Sequence, residues 1–267
     1  AFAAYQRGDL VQAKRLSRQA LDRNPKRAGA WHLAGVIEMQ SGQLADALAA
    51  FDAALSLQPA NADAHANRGL ALHQIGRHAE AVRSYNASLE IRPDTAQTHN
   101  NRGMALADLA DLDAAQHDYQ RAIHLQPDYA AAHYNLGLLM LTRGQFEGAL
   151  ASFDTSIGIA ADHAEAYASR GLALHGLKRY AQAVASYGKA ISLQPSFALA
   201  YNNRGLAHQA LRDFSAAEHD YRAAIAHQPS LSQAYSNLGT VFKAMHRFDD
   251  ALLAYDQALA VSPAAAQ

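Results

Sequence analysis

The 267-residue chain contains no cysteine. That absence excludes disulfides, thiolate metal sites and a cysteine nucleophile, and leaves the redox compartment undetermined. Prolines number only 7, and valine and isoleucine are sparse beside alanine and leucine, a balance that favours helices over strands. No apolar run approaches the ~20 residues of a membrane span, so a membrane is not expected as a partner. Lys and Arg are scattered and the formal charge is -1, so the clustered cations that grip phosphate backbones are missing and no nucleic acid is expected. A phosphate loop, a dinucleotide glycine pattern and a serine-nucleophile elbow are all missing too, so neither catalysis nor a cofactor is expected. The chain opens without methionine and inside a helix pattern, which fits a signal peptide removed or not included; a cytoplasmic location is the expectation.

What the sequence does have is a period. Pro25, Pro59, Pro93 and Pro127 stand 34 residues apart, and Pro195, Pro229 and Pro263 continue the grid after one vacancy filled by Ala161. Gly35, Gly69, Gly103, Gly137, Gly171, Gly205 and Gly239 share the spacing, as do alanines from Ala13 and Ala47 to Ala217 and Ala251. Phe51, Tyr85, Tyr119, Phe153, Tyr187, Tyr221 and Tyr255 form a third series in the same register. With proline at position 32, full repeats span 28–61, 62–95, 96–129, 130–163, 164–197, 198–231 and 232–265; residues 1–27 are the end of an eighth and 266–267 a tail.

In the first full repeat, Trp31 to Gln40 and Leu44 to Leu57 each carry helical periodicity around a Ser41-Gly42 turn, which reads as an antiparallel helix pair. Proline ends the second helix because it lacks an amide hydrogen and clashes with the preceding turn. The residue after it (Asp94, Asp128, Asp162, Ser196, Ser230) is of a type that caps helix N-termini. Asp162 keeps its place beside Ala161, so that turn is expected to soften and not to disappear.

The order of aromatic, glycine, alanine, second aromatic and proline resembles the tetratricopeptide repeat. The resemblance covers essentially the whole chain and implies an all-α, right-handed superhelical solenoid of antiparallel helix pairs. Helix axes ~8–10 Å apart need small residues where they cross, which accounts for glycine at position 8 and alanine at position 20. Aromatics at positions 4 and 24 fill the space beside them.

At 100° per residue, positions 2, 6, 9 and 13 of the first helix share the face opposite the packing positions 4, 8 and 11, and so line the concave surface. Position 6 reads Leu33, Asn67, Asn101, Asn135, Ser169, Asn203, Asn237. Asparagine is a poor helix former with no packing reason to recur there, and its acceptor and two donors complement a peptide unit. The expected site is a ladder of these asparagines holding an extended peptide backbone, with Asn100 and Asn202 placed beside it. Leu70, Met104, Leu138, Leu172 and Leu206 at position 9, where Thr240 comes last, would meet ligand side chains. Rungs ~10 Å apart along a ligand rising ~3.3 Å per residue engage roughly every third residue. The row resembles the superhelix lining of the O-linked N-acetylglucosamine transferases, which implies that Asn67, Asn101, Asn135, Asn203 and Asn237 hold substrate peptides; Ser169 and Leu33 depart from it. The competing account is that these asparagines bond within the array or to water.

Position 7 carries Arg68, Arg102, Arg170 and Arg204, against Leu136 and Leu238 elsewhere. Asp118 and Asp220 stand at position 23 of the repeats with Arg102 and Arg204, where the leucine repeats have Ser152 and Ala254, so ion pairs within a repeat are expected. His65, His99 and His133 occupy the aromatic slot that Tyr167, Tyr201 and Tyr235 fill later, and read as space-fillers. His73 and His175 lie three repeats apart and cannot share an ion, so no metal is expected. The His-Ala-Glu-Ala runs from His78 and from His163 fall in different registers and match no zinc motif. A clamp for acidic chaperone tails needs Lys at positions 2 and 5 and Lys or Arg at position 6; those places hold residues such as Asp63, Ala66, Asn100, Ala131, Tyr134 and Glu165.

Together these features predict a protein-interaction scaffold, itself no enzyme, whose partner is a protein or peptide. Two alternatives stand beside it. One is the substrate-docking part of a larger enzyme, such as a protein glycosyltransferase with its catalytic domain beyond Gln267. The other is end-to-end self-association, because no polar capping helix closes the array, which runs out after Pro263 into Ala264, Ala265, Ala266 and Gln267.

Overall fold

The computed structural model describes residues 1–262, which form sixteen α-helices and, among the described residues, no strand. After α1 (Phe2–Gln6) and α2 (Leu10–Arg23) come α3 (Ala28–Gln40), α4 (Leu44–Leu57), α5 (Ala62–Gln74), α6 (His78–Ile91), α7 (Ala96–Asp108) and α8 (Leu112–Leu125). Then follow α9 (Ala130–Thr142), α10 (Phe146–Ile159), α11 (Ala164–Gly176), α12 (Tyr180–Leu193), α13 (Ala198–Ala210), α14 (Phe214–His227), α15 (Ser232–Ala244) and α16 (Phe248–Val261). This is the all-α solenoid of paired helices that the period predicts. The residues from Pro263 to Gln267, on which the uncapped end was read, lie outside the described ones.

Contacts divide the chain into two units, Ala1–Ala132 and a second from His133 onward. In each, helices pack on their sequence neighbours, and a first helix also touches the next first helix: α3 on α5 and α5 on α7 in one unit, α11 on α13 and α13 on α15 in the other. The cores repeat the same parts. Phe51 and Tyr85 are buried with Ala47, Ala71 and Ala81 in the first unit; Tyr187 is buried with Ala183 and Ala207 in the second.

The fixed glycine of each first helix lies directly under the position-24 ring of the second. A Cβ on Gly35 would come within 2.5 Å of Phe51, one on Gly69 within 2.7 Å of Tyr85, and one on Gly205 within 2.7 Å of Tyr221. Such separations are far inside carbon–carbon contact, so any side chain there would push the pair apart. The rings of Phe51, Tyr85 and Tyr221 are fully buried, which contributes about 1.5–3 kcal/mol each.

The helices of a pair are joined by one recurrent turn. In α3 the amide of Gly42 bonds the Met39 carbonyl and that of Gln43 bonds Glu38, the paired bonds of a Schellman motif. The motif recurs after α5, α7, α9, α11, α13 and α15, for example Lys178 to His175 and Arg179 to Leu174. It requires a left-handed residue. Gly8, Gly42, Gly76 and Gly144 supply it, but Ala110, Lys178, Arg212 and His246 adopt φ between 58° and 62° at the equivalent place.

Three expectations are revised by the detail. Helix N-caps fall one residue later than the post-proline position: Asn61 caps α5 by accepting from the Ala64 amide, while Asp94 pairs with Arg121 at 2.9 Å. The cause is that the chain needs one further extended residue after the proline turn before the next helix begins, as at Thr95. The position-4 side chains do more than fill space. Trp31 Nε1 donates to the Pro25 carbonyl, and ring nitrogens of His65 and His99 bond the Pro59 and Pro93 carbonyls, at 2.8–2.9 Å. They thereby satisfy the carbonyl of the inter-repeat turn. The arginines also reach further than their own repeat. Arg102 and Arg204 hold Asp118 and Asp220 through two bonds each, at 2.6–2.8 Å, but Arg68 and Arg170 use Asp52 and Asp154 of the preceding repeat. Burial alone would raise the Asp118 carboxyl, yet its bonds to Arg102 and His99 outweigh burial and hold it below the usual carboxylate range. At Ala161, α10 still ends at Ile159 and a turn follows, so the grid survives the missing proline.

Two stability predictions follow from these contacts. A non-glycine left-handed residue costs about 1 kcal/mol, so Ala110→Gly and Lys178→Gly should each raise the urea midpoint, and Gly76→Ala should lower it. Burial pushes the Tyr187 phenol up, and its hydroxyl has no hydrogen-bond partner, while Phe51 and Phe153 fill the same position without one. Tyr187→Phe should therefore leave stability unchanged or raise it by about 1 kcal/mol. Tyr221→Phe, which loses a 2.9 Å bond to Gln209, should lower it by about the same amount.

Candidate functional site

The first helices carry the expected row. Asn67 on α5 and Asn101 on α7 are half-buried in the first unit, as are Asn135 on α9, Asn203 on α13 and Asn237 on α15 in the second. At position 9, Met104 and Leu172 are exposed (36% and 39%), whereas Leu70, Leu138 and Leu206 are half-buried; Leu138 and Leu206 also pack against the cores around Phe153 and Tyr221. Those two leucines can offer only part of their surface to a ligand. Ser169 is buried, which interrupts the row on α11.

Asn100 and Asn202, read from the sequence as ligand-facing, are 3% and 1% exposed. Position 5 is turned about 100° from position 6, which on α13 brings Asn202 against Asn237 of the next first helix, and these side chains sit behind the row. There they act as its support. Asn202 donates to Asn203 Oδ1 at 3.2 Å and accepts from Asn237 Nδ2 at 2.9 Å, tying two rungs together. Asn100 donates to Asn101 Oδ1 at 3.4 Å. In the first unit His32 takes the equivalent part, with its Nε2 3.0 Å from Asn67 Nδ2. Burial lowers the His32 pKa, offset in part by the charge on Asp63, which favours the neutral ring that this bond needs as acceptor. Sequence reasoning missed these partners because they lie 35 residues apart, one position out of step with the repeat.

Next to this end of the row the first unit has a cavity of about 560 Å³, lined by Phe2, Tyr5, Gly29, His32, Leu33 and Val36. Its walls are mainly apolar, with the His32 ring as a polar element. Among the described residues, no helix is long and apolar enough to cross a membrane.

Models of the tetratricopeptide repeat match residues 1–55, 33–96 and 100–164, and again 198–231; a further TPR repeat model matches residues 177–211. No curated protein matches the sequence significantly. Among solved structures, the fold is similar to that of the APC/C hetero-tetramer Cut9-Hcn1, with 18% identity, a TM-score of 0.75 and coverage of 89% of this chain but only 47% of that one. It is similar to pilF of Pseudomonas aeruginosa, with 20% identity, a TM-score of 0.70 and coverage of 82% and 97% of the two chains. YrrB, described as a TPR protein with an unusual peptide-binding site, gives 23% identity, a TM-score of 0.57 and coverage of 69% and 95%. The repeat models cover well over half of the sequence, and the helix pairs, the glycine-ring contact and the proline turn recur at their period; the chain belongs to the tetratricopeptide-repeat family.

Proposed function

We infer that this protein binds an extended peptide segment along the asparagine-bearing faces of its first helices, as an interaction scaffold. The observation that carries this reading is the support behind the rungs. Asparagines that served only to decorate the surface would have no need of partners behind them, yet the buried Asn202 and the half-buried His32 hold Asn203, Asn237 and Asn67. Fixed side-chain amides lose little rotamer entropy when a peptide backbone arrives. Ligand side chains would then reach the exposed parts of Leu70, Met104, Leu172 and Leu206. YrrB, a structural neighbour described as binding peptide, gives the reading a precedent in the same fold.

The internal bonds also sort the rungs by which group of a buried neighbour each one satisfies. Asn101 and Asn203 only accept from their buried neighbours, at 3.4 and 3.2 Å. Asn237, by contrast, satisfies the buried Asn202 oxygen. A peptide selected from a displayed library against this chain should lose affinity for the double variant Asn101→Ala/Asn203→Ala. Two bonds at about 0.5–1.5 kcal/mol each give about 1–3 kcal/mol, or roughly 5-fold to 150-fold in titration calorimetry. The melting temperature should fall slightly, since each substitution also removes an acceptor from the buried Asn100 or Asn202 amide. Asn237→Ala should lower both, since it leaves a buried acceptor unpaired. Unchanged affinity in the double variant would put the binding surface elsewhere.

A further inference from the structure

Three departures from the repeat's own pattern converge at one point of the first unit. Position 12 carries His73, position 17 carries His78, and position 13 of the next repeat carries Asp108. Elsewhere position 17 is leucine or an aromatic such as Leu112, Phe146 or Phe214, and Asp108 is the one carboxylate at position 13 of the full repeats. His73 lies in the last turn of α5, His78 opens α6, and Asp108 closes α7.

His73 Nε2 stands 2.6 Å from Asp108 Oδ2, and His78 Nδ1 stands 3.6 Å from the same oxygen. The three donor atoms fall within 4.8 Å of one another. His78 Nδ1 is buried and makes no hydrogen bond, the kind of unpaired polar atom that native structures rarely keep without a reason. We propose that His73, His78 and Asp108 form a binding site for a divalent transition-metal ion of the zinc type.

Contact between the two rings does not itself call for an ion. His175 and Tyr180 occupy the same two positions in the second unit, with centroids 5.1 Å apart at 65°, against 5.1 Å and 66° for His73 and His78. There the second ring is a phenol and position 13 of the following repeat is Ala210. What distinguishes the first unit is an added imidazole nitrogen and an added carboxylate. Their meeting is fixed by the stack, because Tyr5 and Gln40, at the same positions 12 and 13, also meet, at 2.9 Å.

Two imidazole nitrogens and a carboxylate oxygen suit Zn²⁺ or a neighbouring first-row ion; Ca²⁺ and Mg²⁺ prefer oxygen throughout. Metal bonds of ~2.0–2.2 Å place tetrahedral donors ~3.3–3.5 Å apart, close to the His78–Asp108 separation. The His73–Asp108 contact would open by under ~1 Å, which Asp108, with half its side chain in solvent, can supply. Its exposure leaves the fourth position to water. The ion would join two successive repeats, since two ligands belong to 62–95 and the third to 96–129. Sequence reasoning set metals aside by comparing His73 with His175; the ligands that matter lie 5 and 35 residues on.

The test uses the whole chain and the metals alone. Titration with Co²⁺ should give the strong visible absorption of four-coordinate cobalt, and calorimetry with Zn²⁺ should show one more site in the parent chain than in His78→Phe. That variant copies the residue that other repeats carry at position 17, so its helicity should be unchanged. Both His78→Phe and Asp108→Asn should weaken Zn²⁺ binding at this site by about 100-fold or more. Zn²⁺ should raise the melting temperature of the parent and leave that of His78→Phe unmoved. Equal Zn²⁺ stoichiometry and affinity in parent and variants, or no Co²⁺ spectrum, would overturn the proposal.

Discussion

In the helix pair of every full repeat the aromatic side chain at position 24 rests on a stretch of first helix that has no Cβ, at a separation a methyl group could not share. That contact sets the distance between the two helices, and the other regularities depend on it. Alanine at position 20 is buried because the gap is narrow; Ala47, Ala81, Ala183 and Ala217 are wholly inaccessible. With the gap constant, each turn closes in the same Schellman geometry, and within each unit one first helix meets the next at the same 35-residue step. A constant offset is what lets one surface feature repeat along a unit.

The sequence disclosed the main steric parts of one repeat. Proline, glycine and the ring recur at a single spacing, and each has a steric meaning that can be read without coordinates. Contacts that cross from one repeat to the next were harder to read. Arg68 bonds Asp52 in the preceding repeat because Ser84 at position 23 is too short and uncharged to answer it, although it too accepts a bond from Arg68. Asn100 and Asn202 looked exposed on a helical wheel, since a wheel of one helix does not show the neighbour that covers position 5. The left-handed residues at Ala110 and Lys178 were invisible for another reason: the motif tolerates their strain, so no glycine marks them.

The row of asparagines belongs to both accounts that the sequence left open. Its members bond within the array, through His32 and Asn202, and they still present part of each amide at the surface. These roles reinforce each other. An amide held from behind has its remaining donor and acceptor aimed in one direction, whereas a freely rotating one would have to be ordered by the ligand. The interruption at Ser169 and the apolar cavity beside Leu33 divide the row into stretches of different chemistry.

Side-chain bonds between first helices step 35 residues, joining His32 to Asn67, His73 to Asp108 and Asn202 to Asn237. The repeat itself, however, is a block of 34 residues. A block cut at the proline turns takes its asparagine along but leaves behind the neighbour that orients it. New combinations of repeats would thus keep the fold at once, because the ring and glycine travel together, and would need further substitution at position 5 to recover an ordered surface. The fold is encoded one block at a time, whereas the ordered asparagine surface is encoded only by neighbouring blocks together.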